Sequence, residues 1–118
     1  MNQITEIVDK QLKAYNLLDF ETFSSCYHKN IASYDIESGS CLSHMCGESF
    51  FAHYEKKFKE NTQIHCKVIQ RMVYSNLVVD KEYITAFKGK NHHEMVIYLV
   101  EDELISKMWF TKEMEEEN

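Results

Sequence analysis

The pattern of apolar and polar residues changes period about halfway along the chain. Apolar residues recur every three or four positions over residues 3–18 and 48–59, and this spacing predicts two amphipathic helices. Between them, the Asp19 carboxylate can cap a short additional helix, and residues 31–36 are predicted as a first strand. After Asn61, four segments are rich in β-branched and aromatic residues, which predicts extended strands. These predicted strands cover residues 63–74, 77–87, 93–101 and 103–111.

Short polar breaks separate the four late strands. Breaks of this length favour antiparallel hairpins over crossover connections. The three predicted helices precede this meander, and such segregation is typical of an α+β fold with the helices on one face of the sheet. We therefore predict one α+β domain over residues 1–112 and an acidic, frayed C-terminal tail over residues 113–118.

Composition and charge restrict the class of protein. The chain has 118 residues, 44% hydrophobic and 27% charged, which is typical of one globular domain with its own core. Its net charge is −6, and a scattered set of lysines with one arginine argues against nucleic-acid binding. Neither a membrane span nor a signal peptide is evident, so we predict a cytoplasmic protein with reduced cysteines.

Asp35 is the first candidate for a catalytic group. It ends the first predicted strand, which two helices can cover, and burial raises the pKa of a carboxyl group toward that of a useful general base. The alternative is that Asp35 caps the turn at Ser38 and Gly39. Because side chains alternate along a strand, only one of Tyr34 and Asp35 can face a pocket.

The late strands supply a second pair of candidates. A neutral His65 near Asp80 or Glu82 could form an acid–base pair, because a carboxylate orients the imidazole. The alternative is a set of ion pairs across the surface of the sheet. A β-bulge in residues 63–74 would change the face that His65 occupies.

Aromatic residues can line a pocket or simply fill a core. Tyr15 and Tyr98 are either hydroxyls that face a ligand or core residues whose hydroxyls are satisfied. By spacing alone, Trp109 shares a face with Ile105 and Lys107. These two interpretations of the aromatic residues stay open from sequence.

Two clusters resemble metal ligands. Cys41, His44 and Cys46 offer three soft ligands within six residues, but no CxxC pair and no fourth ligand accompany them. The His-His-Glu run at residues 92–94 begins a strand, where successive side chains point in opposite directions and chelate poorly. We predict no metal and no cofactor, and keep zinc in the Cys41–Cys46 loop as a lesser alternative.

Three segments resemble the SnoaL-like branch of the nuclear transport factor 2-like superfamily, which includes ketosteroid isomerase. They are AYNLLDFETFSSCYHKNIASYD, VVDKEYIT and VIYLVEDELISKMWF. The resemblance extends over roughly residues 5–112. It implies a cone-shaped, cystatin-like α+β barrel, in which a strongly curved, mainly antiparallel sheet surrounds a pocket and three N-terminal helices cover one face.

The resemblance also implies site residues. When the turn at residues 16–19 is matched to the isomerase turn, Asp35 falls where that family has its proton-shuttling base. The two side chains that bind the oxyanion in the isomerase match Gln11 and Met95 here. Asp80 resembles an acid that recurs in this branch of the superfamily.

We therefore expect a protein that binds a small hydrophobic molecule. If it is an enzyme, the resemblance implies a cofactor-free isomerase or cyclase that transfers a proton on a hydrophobic carbonyl compound. The alternative is a non-catalytic dimeric binding or interaction module, since apolar residues on both faces of the late strands predict a homodimer through the outer sheet face. The expected catalytic residues are Asp35 as base, His65 and Asp80. The expected pocket-lining residues are Tyr15, Tyr34, Phe51, Tyr54, Tyr98 and Trp109, the last turned inward by the match to the isomerase.

Overall fold

The elements follow the order that the hydrophobic pattern predicts. The computed structural model describes residues 3–116. The helices are α1 (Gln3–Asn16), α2 (Phe20–Ser25) and α3 (Glu48–Glu60). The strands are β1 (Tyr27–Asp35), β2 (His65–Tyr74), β3 (Leu77–Phe87), β4 (Lys90–Glu101), β5 (Leu104–Phe110) and β6 (Met114–Glu115). None of the helices described is long and apolar enough to cross a membrane.

The strands form one curved, mixed sheet that does not close on itself. Its order is β1-β5-β4-β3-β2, with β6 beside the start of β4. Strands β2 to β5 form an antiparallel meander, whereas β1 runs parallel to β5. The predicted α+β, cystatin-like fold class is confirmed, with three helices on a mainly antiparallel sheet.

Polar side chains fix the junction where α1 ends and α2 begins. The Asp19 carboxylate accepts a hydrogen bond from the Thr22 amide at 3.1 Å, which caps α2 as predicted. The Asn16 side chain exchanges two hydrogen bonds with the Cys66 backbone, at 2.9 and 2.8 Å. The end of α1 is thereby attached to the start of β2.

The C-terminal tail differs from the predicted frayed end. Met114 and Glu115 form β6, which pairs with His93 and His92 at the start of β4. This edge is open because β5 begins to pair with β4 only at Val96. Unpaired strand edges expose backbone donors and acceptors, and the tail satisfies them. Residues 117–118 lie outside the described part of the chain.

An aromatic cluster fills the space between the helices and the sheet. Phe23 and Phe50 are fully buried, and the Phe23 ring lies 4.9 Å from the Tyr54 ring, centre to centre. The Phe50 ring lies 4.7 Å from that of Tyr27. Rings at these separations contribute favourable contacts beyond their burial. The cluster therefore leaves little free volume inside the cone.

A register shift in β5 decides which way Trp109 points. Leu99 pairs with Lys107 but Val100 pairs with Ile105, so Ser106 is an extra residue in β5. Ile105 and Met108 are consequently both buried against the helices, whereas Lys107 is exposed.

The expectation that Trp109 shares an inward face with Ile105 is therefore wrong. After the bulge, Trp109 lies on the sheet face opposite to Met108. It stacks there on Tyr34 of the neighbouring strand, at 5.7 Å between ring centres.

A second register shift separates His65 from Asp80. In β2, Val68 pairs with Glu82 but Gln70 pairs with Lys81, so residue 69 is the extra one. His65 precedes the bulge and is exposed beside Thr85, whereas Asp80 is fully buried on the inner face. The predicted His65–Asp80 acid–base pair is not formed.

The partner of Asp80 is Arg71. Its Nε and Nη2 atoms donate to the two carboxylate oxygens of Asp80 at 2.6 and 2.9 Å. Its Nη1 atom donates to Asp9 of α1 at 2.6 Å. Two carboxylates raise the pKa of Arg71, and the bidentate geometry is the strong form of this interaction. The guanidinium therefore joins α1, β2 and β3.

Replacing Asp80 with Asn should destabilise the fold far more than replacing Asp9 with Asn. Asp80→Asn leaves the Arg71 charge without its buried partner, which costs about 3–5 kcal/mol. Asp9 is exposed, and the Asp9→Asn change should cost less than about 1 kcal/mol. Urea unfolding of both variants measures the difference, and equal losses would contradict the assignment.

Candidate functional site

A narrow cavity of about 30 Å³ lies between the helices and the inner face of the sheet. It has room for about two water molecules, whereas pockets for drug-sized ligands measure roughly 300–1,000 Å³. The polar or ionisable side chains on its wall are Gln11, Tyr15, Tyr27, Tyr54, Lys57, Cys66, Glu82, Glu94 and Tyr98. The cavity is therefore smaller and more polar than the apolar pocket that the sequence predicts.

Glu82 is the most perturbed acid on this wall. Its position on β3 puts it on the buried face, where it is 5% exposed. Burial, reinforced by the negative charge of Glu94, raises the pKa of Glu82 to about 8. The Glu82 carboxyl group is thus mainly protonated at neutral pH and can exchange a proton near it.

A chain of buried hydrogen bonds ends at Glu82. The Tyr98 hydroxyl donates to the Glu82 carboxyl group at 3.0 Å, and the Gln11 amide donates to the Tyr98 hydroxyl at 3.3 Å. The Tyr27 hydroxyl in turn donates to the Gln11 carbonyl oxygen at 2.9 Å. Burial raises the pKa of both tyrosines, so they remain donors. The chain fixes the position of the Glu82 carboxyl group.

Two other groups on the wall can donate to a ligand. The Tyr15 hydroxyl is buried and has no hydrogen-bond partner among the described residues. The Lys57 ammonium lies 5.6 Å from the Tyr15 ring centre, 5.2 Å from that of Tyr54 and 4.7 Å from that of Phe87. Burial lowers the pKa of Lys57, and the charge of Glu94 opposes that change. The cavity thus combines a titratable acid with two available donors.

Solved structures share this architecture. A cystatin fold protein from Novosphingobium aromaticivorans superposes with a TM-score of 0.80 at 18% identity, covering 95% of this chain and 99% of that one. A nuclear transport factor 2-like protein from Cytophaga hutchinsonii gives 0.73 at 16%, over 91% and 87% of the chains. A candidate ketosteroid isomerase from Kribbella flavida gives 0.73 at 14%, over 100% and 81%.

The chain has the nuclear transport factor 2-like fold. The matched structures agree over nearly the whole length of this chain, which extends the likeness well beyond the sheet. By sequence, neither a protein family model nor a curated protein matches it. The likeness therefore establishes the fold, and the chemistry has to be argued from the side chains inside the cone.

Within this fold, three of the predicted pocket residues reach the cavity. Tyr15, Tyr54 and Tyr98 all lie on its wall. Phe51 does not line it, and instead packs against Phe50 at the edge of the core, with 5.3 Å between ring centres.

The other two predicted pocket residues lie elsewhere. Tyr34 and Trp109 stack on each other on the outer side of the sheet. The expectation that both line the pocket is therefore wrong: the bulge at Ser106 turns Trp109 outward, and Tyr34 lies beside it on the same outer face.

Asp35 does not have the environment of a buried base. Its carboxylate accepts hydrogen bonds from the Ser38 amide at 3.0 Å and from the Ser38 hydroxyl at 2.8 Å. These bonds lower the pKa of Asp35, opposite to the direction that a general base needs. The structure therefore corrects the expected catalytic role in favour of the turn cap.

Potential metal ligands converge at a different place from the predicted loop. Within residues 3–116, the one group of three that comes together is His92, Glu94 and Glu113. In the Cys41–Cys46 loop the two sulfur atoms are 3.2 Å apart, but the His44 ring packs against His53.

Sequence reasoning did not single out Glu82, Lys57 or Glu94 as the central groups. A usable signal existed for Glu82, because it lies on the same face of β3 as the apolar residues Val78 and Ile84. A charged residue at such a position is costly unless it is paired, hydrogen-bonded or neutralised, so it marks a position to examine. Lys57 gave no comparable signal, since it belongs to a lysine-rich helix face.

Replacing Glu82 with Gln should change how stability depends on pH. A raised pKa means that the contribution of Glu82 to the free energy of unfolding is fully present below pH 4.5 and is lost as the pH rises to about 8. Relative to Glu82→Gln, the free energy of unfolding of the unmodified protein should fall by up to about 1.4 kcal/mol per pH unit across this range. Urea unfolding from pH 4 to 9 measures the difference.

The exposed Glu55 on α3 provides the matched control. Glu55→Gln should keep the pH dependence of the unmodified protein. A Glu82→Gln variant whose pH dependence also equals that of the unmodified protein would show that Glu82 titrates normally.

Proposed function

We propose that the cavity binds a small polar carbonyl compound and that the protein catalyses a cofactor-free proton transfer on it, with Glu82 as the proton-transferring group. The observation that carries this proposal is that one buried, raised-pKa acid shares a cavity with the Tyr15 hydroxyl, which has no hydrogen-bond partner, and with the Lys57 ammonium. Proton abstraction beside a carbonyl group needs this combination, because a base removes the proton while donors stabilise the developing enolate.

The energetics of the cone interior support an active site over plain core packing. Burying a carboxyl group and an unpaired hydroxyl around one cavity, beside the half-buried Lys57, is unfavourable. Aromatic side chains already fill most of the cone, and more of them would stabilise it better than Glu82 and Lys57 do. Groups with such perturbed pKa values cluster at functional sites.

The residues divide into three roles. Glu82, with a pKa of about 8, can take up and return a proton near neutral pH. The Tyr15 hydroxyl and the Lys57 ammonium would donate to the carbonyl oxygen, which becomes more basic as the enolate forms. Tyr98 is a positioning residue, since it holds the Glu82 carboxyl group and faces the same cavity.

The cavity volume sets the class of substrate. A space of about 30 Å³ holds the carbonyl group of a small compound but not the whole molecule, so even a short-chain compound needs the walls to move slightly apart. A steroid would require a far larger displacement, so we favour a short-chain ketone, aldehyde or keto acid. The candidate ketosteroid isomerase with the same fold is consistent with proton-transfer chemistry but supplies no substrate for this chain.

Exchange of carbon-bound hydrogen for deuterium tests this function directly, because it detects proton abstraction without knowledge of the product. Short-chain ketones, aldehydes and keto acids are each incubated with the protein in heavy water and followed by proton NMR. The protein should erase the α-proton signal of at least one of them. Glu82→Gln should slow that exchange about 10²- to 10⁴-fold, the usual contribution of a general base.

Two further variants keep the result interpretable. Tyr15→Phe should slow the exchange while leaving unfolding by urea nearly unchanged, because the hydroxyl has no partner to lose. Glu55→Gln should leave the exchange rate as it is. If Glu82→Gln exchanges every active compound as fast as the unmodified protein, the proposal fails.

A second function is favoured by the outer face of the sheet, which suits an interaction module. This face carries an open hollow of about 860 Å³, lined in part by Met72, Val79, Met95 and Met114. Met72 is 64% exposed. Apolar patches of this kind mark interaction sites, and a second copy of the chain is the partner we propose for it.

Analytical ultracentrifugation at micromolar concentration tests the homodimer. The unmodified protein should sediment as a dimer, and Met72→Lys should weaken association at least tenfold, because it places a charge in the apolar interface. Leu17→Lys is the matched control, since Leu17 is also an exposed apolar residue, 67% accessible, but lies at the end of α1. A purely monomeric protein would exclude this interface.

A further inference from the structure

We propose that His92, Glu94 and Glu113 form a binding site for a divalent transition-metal ion, with Zn²⁺ as the representative ion. One nitrogen and two carboxylate ligands suit such an ion, and two carboxylates balance its charge. This proposal does not rest on the proton-transfer function, but the two meet at Glu94, which lines the cavity and whose negative charge reinforces the raised pKa of Glu82. A bound Zn²⁺ would offset that charge, so the Glu82 titration is measured on chelator-stripped protein.

The distances between the ligand atoms are close to those that a common metal ion requires. The Nε2 atom of His92 lies 2.9 Å from a Glu94 carboxylate oxygen and 3.8 Å from one of Glu113. All three ligand atoms lie within 4.8 Å of one another. Bonds of about 2.0–2.2 Å to one ion separate adjacent ligand atoms by roughly 3.0–3.5 Å. A metal ion would replace the hydrogen bond between His92 and Glu94, and a small displacement of Glu113, whose side chain is 52% exposed, would complete the site.

The sheet itself brings the three ligands together. His92 and Glu94 are two residues apart on β4 and therefore share a face. Pairing of β6 with β4 returns the chain so that Glu113, just before β6, reaches His92. The His92 ring is buried and contacts the Phe87 ring edge-on, which fixes its orientation.

A second observation points to a ligand in the cavity that Glu94 helps to line. Tyr15 is only 7% exposed, and its hydroxyl has no partner although it lies on the cavity wall that includes Glu94. A site with three protein ligands keeps a coordination position for water or substrate. Such a molecule in the cavity would give the Tyr15 hydroxyl the partner that it lacks.

Calorimetric titration of Zn²⁺ into the full chain, expressed without a histidine tag and stripped with chelator, tests the site. The unmodified protein should bind one Zn²⁺ per chain. Glu113→Gln removes a half-exposed ligand without disturbing the core, and should weaken binding at least tenfold. Glu115→Gln is the matched control, because this exposed residue contacts Lys90 instead, and its affinity should not change.

Two measurements separate this site from a thiol site. A double Cys41→Ser, Cys46→Ser variant should bind Zn²⁺ as tightly as the unmodified protein. Co²⁺ should give visible ligand-field absorption without the near-ultraviolet band of cobalt–thiolate bonding. Absence of binding, an unchanged affinity in Glu113→Gln, or loss of binding in the double cysteine variant would each overturn the proposal.

Discussion

The cone depends on a chain of hydrogen bonds that runs through its interior from Tyr27 through Gln11 and Tyr98 to Glu82. Each bond contributes only about 1 kcal/mol net, yet leaving one of these buried groups unpaired would cost about 1–3 kcal/mol. Removing one member of the chain therefore leaves its neighbour unpaired. They hold α1 against β1, β3 and β4, and they deliver the Glu82 carboxyl group to a cavity wall in one fixed position.

Two acids on the same face of β3 show two ways to bury a carboxyl group. Asp80 is held by the two-pronged Arg71 guanidinium, which also reaches α1. Glu82 has no cation as a hydrogen-bonded partner and instead keeps a proton, because burial raises its pKa. The first arrangement fixes the sheet to the helix. The second arrangement leaves a transferable proton next to the available donors Tyr15 and Lys57.

Much of the architecture could be predicted from sequence, because it depends on hydrophobic period and local turn chemistry. Segments rich in β-branched and aromatic residues predict the long strands, and the carboxylate of Asp19 predicts the cap of α2. The faces of β2 and β5 could not be predicted, because single extra residues reverse them and an isolated sequence does not show register. The inward Trp109 and the His65–Asp80 pair both depended on that register.

The site was predicted less well than the fold, for a related reason. Asp35 has the right position along the chain, but Ser38 satisfies its carboxylate locally and lowers its pKa. The role of Glu82 depends on burial and on Tyr98, a residue 16 positions away that only the folded sheet brings close. The strand pairing of the tail, which brings Glu113 to His92, likewise has no local signal.

The pKa of Glu82 is the quantity on which the functional proposal rests most directly. Carbon-13 NMR of protein labelled at the glutamate carboxyl carbons, with Glu82 assigned by its absence in Glu82→Gln, follows this one group through a pH titration. A midpoint near 8 is expected for a buried, protonated acid on the cavity wall. A midpoint near the ordinary glutamate value of 4.5 would contradict both the effect of burial on Glu82 and the proton-transfer role.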